Sequence, residues 1–399
     1  TMELAVGRAS RQSIATSFHV LQKKGQKWHW VGYVGAAGNY ILMMFYTTIS
    51  GWMLAYFYKM ITGQFVGLDT QQVGQVFADL TANPIEMTIW TVITTVVCFG
   101  ICSLGLQEGV EKITKIMMVL LLAIIVILAI KSITLPNASI GLRFYLMPDI
   151  NRLKEQGIWE TVFAAMSQAF FTLSIGIGSL AIFGSYIGKE QRLLGESINI
   201  AVLDTLISLI AGVIIFPACF AFNVDPGQGP GLIFITLPNI FNSMAGGRIW
   251  GSLFFIFMSF AAFSTTIAVF ENIISFGMDL WGWSRKKASI INTFLIIILS
   301  MPCILGFNVL SWIKPLGEGT SILDLEDFII SYNVLPLGSL AYLLFCVTRY
   351  GWGFENYIEE VNLGQGIKMP RTLKGYLTWV LPVIILIVFI QGYINVFGN

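Results

Sequence analysis

The chain has 399 residues, of which 56% are hydrophobic and 11% charged, with a formal net charge of +1. A soluble domain carries about 25% charged residues, so this composition excludes a soluble fold and describes a polytopic membrane protein. The near-neutral balance gives no basis for a nucleic-acid partner.

Met2-Glu3-Leu4-Ala5-Val6-Gly7-Arg8 reads as the last turns of a helix, and Thr1-Met2 is not a normal start. N-terminal truncation is therefore expected. A membrane span needs about 20 apolar residues. Nine candidates follow, at about 30–61, 85–106, 113–135, 158–187, 195–222, 249–281, 287–310, 325–348 and 376–397. No low-complexity linker divides them, so residues 1–399 are expected to form one membrane domain. Between the fifth and sixth candidates, Gly231-Leu232-Ile233-Phe234-Ile235-Thr236-Leu237-Pro238 is apolar but too short to cross. It is expected to belong to a re-entrant or surface hairpin at 223–248.

The fourth candidate is unusual. Ser167, Gln168, Thr172, Ser174, Gly176, Gly178 and Ser179 crowd its middle. Glycines weaken a helix, and backbone groups freed by a break cannot be left facing lipid. A broken helix whose polar ends face a buried site satisfies both demands.

Alternate loops hold Arg8, Arg11, Lys23, Lys24 and Lys27; Lys112 and Lys115; Lys189 and Arg192; Arg285, Lys286 and Lys287; and Arg349, Lys368, Arg371 and Lys374. By the positive-inside rule these loops are cytoplasmic. The loops 62–84, 136–157 and 223–248 are then extracellular, as is the C-terminus at Asn399 of a multi-pass plasma-membrane protein. Cys98, Cys102, Cys219, Cys303 and Cys346 all fall in apolar segments and read as small buried hydrophobes. His19 and His29 share one polar loop without metal-ligand spacing. No nucleophile–base pair or metal cluster marks an enzyme.

Five stretches in order resemble the neurotransmitter:sodium symporter family, and within it the prokaryotic eleven-helix amino-acid transporters. Met2 to Arg8 is similar to the end of the family's second helix. Phe45-Tyr46-Thr47-Thr48-Ile49-Ser50-Gly51-Trp52 is similar to the third, and Gln168 to Gly178 to the broken sixth. Phe234-Ile235-Thr236-Leu237-Pro238 resembles the extracellular hairpin, and Ala261-Ala262-Phe263-Ser264-Thr265-Thr266-Ile267-Ala268 the eighth helix. The resemblance implies an all-α integral membrane fold of two inverted five-helix repeats with broken helices, here lacking the first helix and most of the second. It also implies alternating-access symport of an amino acid with Na⁺.

The resemblance carries roles onto particular residues. One sodium site would use the Ala261 carbonyl with Ser264 and Thr265, since a hard cation prefers oxygen. A second would use Thr172 and Asp204, a carboxylate inside an apolar span. Asp204 with Ser208 occupies the neighbourhood that binds chloride in chloride-dependent relatives, so the carboxylate is expected to replace the anion. It is also a candidate for proton antiport on the return step. Tyr46 would face the substrate carboxylate and Phe171 would cover the substrate, with Leu42, Thr172, Ser174, Ile177, Thr265 and Val269 also lining the pocket. Gating would fall to Gln168, Tyr186, Asp279 and Asp327. Glu3 and Glu271 would partner backbone groups or each other. The pocket carries no opposing charge for a charged side chain, so the expected substrate is a neutral hydrophobic or aromatic amino acid.

Read from the residues alone, the same hydroxyls serve ordinary helix packing, and Ser264 and Thr265 bond back to the preceding turn. A proton-coupled permease, a non-transporting membrane sensor and an inactive fragment are the alternatives to sodium symport. The sequence leaves the oligomeric state open.

Overall fold

The computed structural model describes residues 1–222 and 229–397. Residues 223–228 of the expected hairpin lie outside the described residues. The chain is helical, with α1 at Met2–Ser10, α2 at Ile14–Leu21, α3 at His29–Ile61, α4 at Thr70–Ala82, α5 at Pro84–Ser103 and α6 at Lys112–Ile133. There follow α7 at Ala138–Leu146, α8 at Ile150–Gln156, α9 at Ile158–Thr172, α10 at Ser179–Tyr186, α11 at Leu193–Ala221 and α12 at Leu237–Ser243. The last elements are α13 at Gly247–Trp281, α14 at Arg285–Gly306, α15 at Ile322–Asp327, α16 at Leu335–Val347, α17 at Phe354–Val361 and α18 at Leu381–Phe397.

Among the described residues, eight helical segments are long and apolar enough to cross a membrane. They coincide with eight of the nine expected spans. The remaining one, the fourth expected span, is split into α9 and α10, joined by the link 173–178. The eighth expected span is a single helix over Ile322–Val347 whose middle, Phe328–Val334, widens into a π-helical segment between α15 and α16. Five short helices, α2, α4, α7, α8 and α17, occupy stretches whose composition reads as loop.

Local chemistry explains the boundaries. Asp69 caps α4 by accepting from the Gln72 amide at 2.9 Å, and the Gln72 side chain accepts from the Asp69 amide at 2.9 Å. Asn83 caps α5 ahead of Pro84, whose missing N–H costs nothing in a first turn. The long α13 stops at Gly282, which takes the left-handed conformation at φ 63°.

The scaffold is α3 packed along α13, flanked by α5 and α14. Its core joins Leu42, Met43, Phe45, Ile267, Val269 and Phe270 to Ile177 and Ala181 of the broken helix. A second core of aromatic rings lies at the other end. There Tyr56 donates to the Phe234 carbonyl at 2.9 Å, tying the short apolar segment to α3. By contrast, α6 and α11 are strongly apolar with most of their surface turned outward, which suits lipid and not water.

On the basic-rich face, Arg8 is fully buried. Its Nε donates to Glu360 Oε1 at 2.6 Å, and its Nη1 donates to the carbonyls of Gln191 at 2.7 Å and Gly188 at 3.3 Å. Nη2 donates to the Glu360 carbonyl. One guanidinium thus joins α1, the turn after α10, and α17. A buried charge is tolerable only with this degree of pairing.

Candidate functional site

The link between α9 and α10 is built to stay unwound. Ser174, Gly176 and Gly178 have φ of 47°, 107° and 76°. A Cβ on Gly176 would stand 2.3 Å from the Leu335 carbonyl oxygen, so only glycine lets α16 approach so closely. The broken ends need partners. Glu3 accepts from the amide of Gly176, and from that of Leu180 at 3.3 Å. The Ile177 carbonyl accepts from Asn39 Nδ2 at 2.7 Å.

Beside this link lies a cavity of about 170 Å³, lined by Leu42, Tyr46, Gln168, Phe171, Thr172, Ser174, Thr265, Ile330 and Leu335. Leu42, Tyr46, Phe171, Thr172, Ser174 and Thr265 are residues expected to contact substrate, and Gln168 was expected at the gate. Tyr46 of α3 and Thr265 of α13 both line the cavity. Ile177 and Val269 differ from expectation. Both are buried in the core, the Ile177 side chain lying beside Gly38. Sequence reasoning missed Ile330 and Leu335, which enter the lining where the helix Ile322–Val347 widens.

Around the cavity, Thr172 donates to Asp204 Oδ1 at 2.9 Å, bringing α9 to α11. Ser208, one turn from Asp204, is exposed, and its carbonyl accepts from the Tyr145 hydroxyl at 3.4 Å. Ser264 donates to the Ala261 carbonyl at 2.8 Å, and Thr265 donates to the same oxygen at 3.4 Å. Two hydroxyls and a carbonyl therefore converge on one turn of α13. The hydroxyl oxygens keep lone pairs for a cation while donating. The back-bonding pattern and the cation-binding pattern are thus compatible.

Asp327 accepts from Ser331 Oγ at 2.6 Å. Asp279 accepts from the Ser13 amide at 2.9 Å and lies 3.5 Å from Thr16 Oγ1, so it caps the first turn of α2. Tyr186 donates to Glu271 Oε1 at 2.8 Å. Glu271 does not pair with Glu3. It is fully buried and takes a two-pronged bond from Arg285, at 2.7 Å to each oxygen. Arg285 was expected among the basic residues of a cytoplasmic loop; its guanidinium reaches inward because a lone carboxylate at that depth requires a cation. Two interior carboxamides, Asn39 and Asn272, also went unpredicted. Their signal was a polar amide in the middle of an apolar run.

A many-span helical protein with one helix broken beside a polar-lined cavity defines a membrane transporter. The chain matches the description "Sodium:neurotransmitter symporter family" over residues 70–398 and belongs to that family. It is 30% identical to an uncharacterized sodium-dependent transporter of Haemophilus influenzae, over 98% of this chain and 86% of that one. It is 29% identical to the uncharacterized sodium-dependent transporter YhdH of Bacillus subtilis, over 98% of this chain and 85% of that one. Among solved structures it resembles the crystal structure of MhsT in complex with L-phenylalanine. The TM-score is 0.86 with 37% identity, over 98% of this chain and 87% of that one. The fold is therefore the inverted-repeat arrangement of this family, and the protein is a sodium-dependent transporter, with sodium the co-transported ion.

Proposed function

We propose that the protein couples Na⁺ entry to uptake of a neutral hydrophobic or aromatic amino acid, independently of chloride. The observation that carries this reading is the Thr172–Asp204 pair at the edge of a cavity whose lining residues are all uncharged. The lining combines apolar walls from Leu42, Phe171, Ile330 and Leu335 with the hydroxyls of Tyr46, Thr172, Ser174 and Thr265. Such walls favour an apolar side chain, and a charged one would meet no partner. The similarity to MhsT, crystallised with L-phenylalanine, supports the same class.

In this reading Tyr46 orients the substrate carboxylate and Phe171 covers it. One Na⁺ sits at Thr172 and Asp204, and another at Ala261, Ser264 and Thr265. Sodium beside the substrate carboxylate makes each ligand raise the affinity for the other. Asp204 supplies a fixed negative charge where chloride-dependent relatives bind the anion near Ser208. The segment α9–α11 then rocks against the α3–α13 scaffold, opening the site to alternate faces. Gln168 and Asp327 act at the outer gate, and Tyr186 and Asp279 at the inner one. The basic-rich face is cytoplasmic and the C-terminus lies outside. Inward Na⁺ movement gains about 2.3 kcal/mol per charge for each 100 mV.

The test is uptake into proteoliposomes for a panel of amino acids, with chloride or gluconate outside. Phenylalanine, leucine and related substrates are expected to accumulate equally in both anions, and lysine and glutamate to be rejected. Loss of uptake in gluconate overturns the chloride claim, and preference for a charged amino acid overturns the substrate class.

A further inference from the structure

The link 173–178 forms one wall of the cavity, through Ser174, and its freed backbone groups have identifiable partners. The Gly176 and Leu180 amides go to Glu3. The Ile177 carbonyl faces α3, where Asn39 Nδ2 donates to it at 2.7 Å. The same nitrogen donates to the Gly35 carbonyl at 2.7 Å, so both amide hydrogens are used. Asn39 Oδ1 accepts in turn from Asn272 Nδ2 on α13 at 3.1 Å. Asn39 and Asn272 are both fully buried, so no water can replace these bonds. The seat is tight. A Cβ on Gly38 would lie 2.8 Å from Val334 Cγ1 and 3.4 Å from Ile177 Cγ2. Ser174 holds a left-handed φ of 47°, costly for a residue with a side chain, and it persists only while its surroundings constrain it.

We propose that Asn39 is a positioning residue that sets how strongly the transporter discriminates substrates by size. It does not line the cavity. Its carboxamide fixes the Ile177 carbonyl, Asn272 fixes the carboxamide, and the Ser174 wall is thereby held at one depth. The inference rests on the amino-acid transport reading above.

The test uses the full-length protein in proteoliposomes and the variant Asn39→Leu, which keeps the side-chain shape and removes its hydrogen bonds. Two quantities are read: hydrogen exchange of the 173–180 amides, and the ratio of KM for alanine to KM for phenylalanine. The variant is expected to exchange about tenfold faster in this segment, as loss of a buried hydrogen bond gives, with α14 unchanged. The size ratio is expected to shift toward phenylalanine by about fivefold. Unchanged exchange overturns the proposal, and so does faster exchange with an unchanged ratio. If Asn39→Leu does not fold, Asn272→Leu leaves Asn39 in place and removes its brace. It is expected to move both readouts the same way but less, and no movement in either overturns the proposal. Failure of the unaltered protein to take up any amino acid would instead sink the transport reading, while the exchange comparison would still decide the pin.

Discussion

Asp204 and Glu271 are both carboxylates within spans, yet their settings differ. Asp204 is half-buried and accepts from one hydroxyl, that of Thr172. Its remaining acceptor capacity suits a cation. Asp204→Asn is expected to raise the Na⁺ concentration for half-maximal uptake by about tenfold or more, equivalent to about 1.4 kcal/mol. A sodium titration of uptake checks this, and an unchanged titration would remove Asp204 from the ion site. Glu271 is fully buried and already satisfied by Arg285 and Tyr186. Arg285→Gln strands its charge, at an expected cost of about 3 kcal/mol. Thermal melting in detergent measures it. The double variant Arg285→Gln, Glu271→Gln is expected to recover most of the loss, since no unpaired charge then remains.

The defining element is the interrupted helix α9–α10. Gly176→Ala would force a side chain onto φ 107° and against the Leu335 carbonyl. It is expected to destabilise the protein by about 1–3 kcal/mol and to abolish substrate binding. Melting and ligand-binding measurements on the same sample check both. The break was legible in the sequence, because paired glycines among hydroxyls have no place in an uninterrupted span. The long apolar spans were legible too, since length and hydropathy mark them directly. The short helices were not. The stretch 70–82 carries a local signal in its Asp69–Gln72 cap but lacks a long apolar run, while 354–361 has no side-chain cap and is held by distant residues such as Arg8, which a local pattern does not carry. Ile330 and Leu335 reach the cavity through a π-helical widening that periodicity at 3.6 residues misses. Arg285 looked like one of three adjacent cations, and only the depth of Glu271 explains its inward turn.

On the scale of the whole molecule, α3 and α13 pack most extensively on each other, α10 packs on α1, and α11 packs on α6 and α7. Tyr46 lies on α3 and the Ala261–Thr265 turn on α13. The broken helix and α11 bring Phe171, Thr172 and Asp204 to meet them. Arg8 ties α1 to α17 and to the turn after α10, so the proposed rocking of the broken helix has to stretch or carry that cluster. Sodium and substrate are proposed to bind together where these helices converge. The most direct measurement is accumulation of radiolabelled phenylalanine or leucine by the full-length protein in proteoliposomes, with external Na⁺ replaced by choline. The expected result is loss of accumulation, restored by adding Na⁺ back. Equal accumulation in choline and in sodium would show that Na⁺ does not drive uptake.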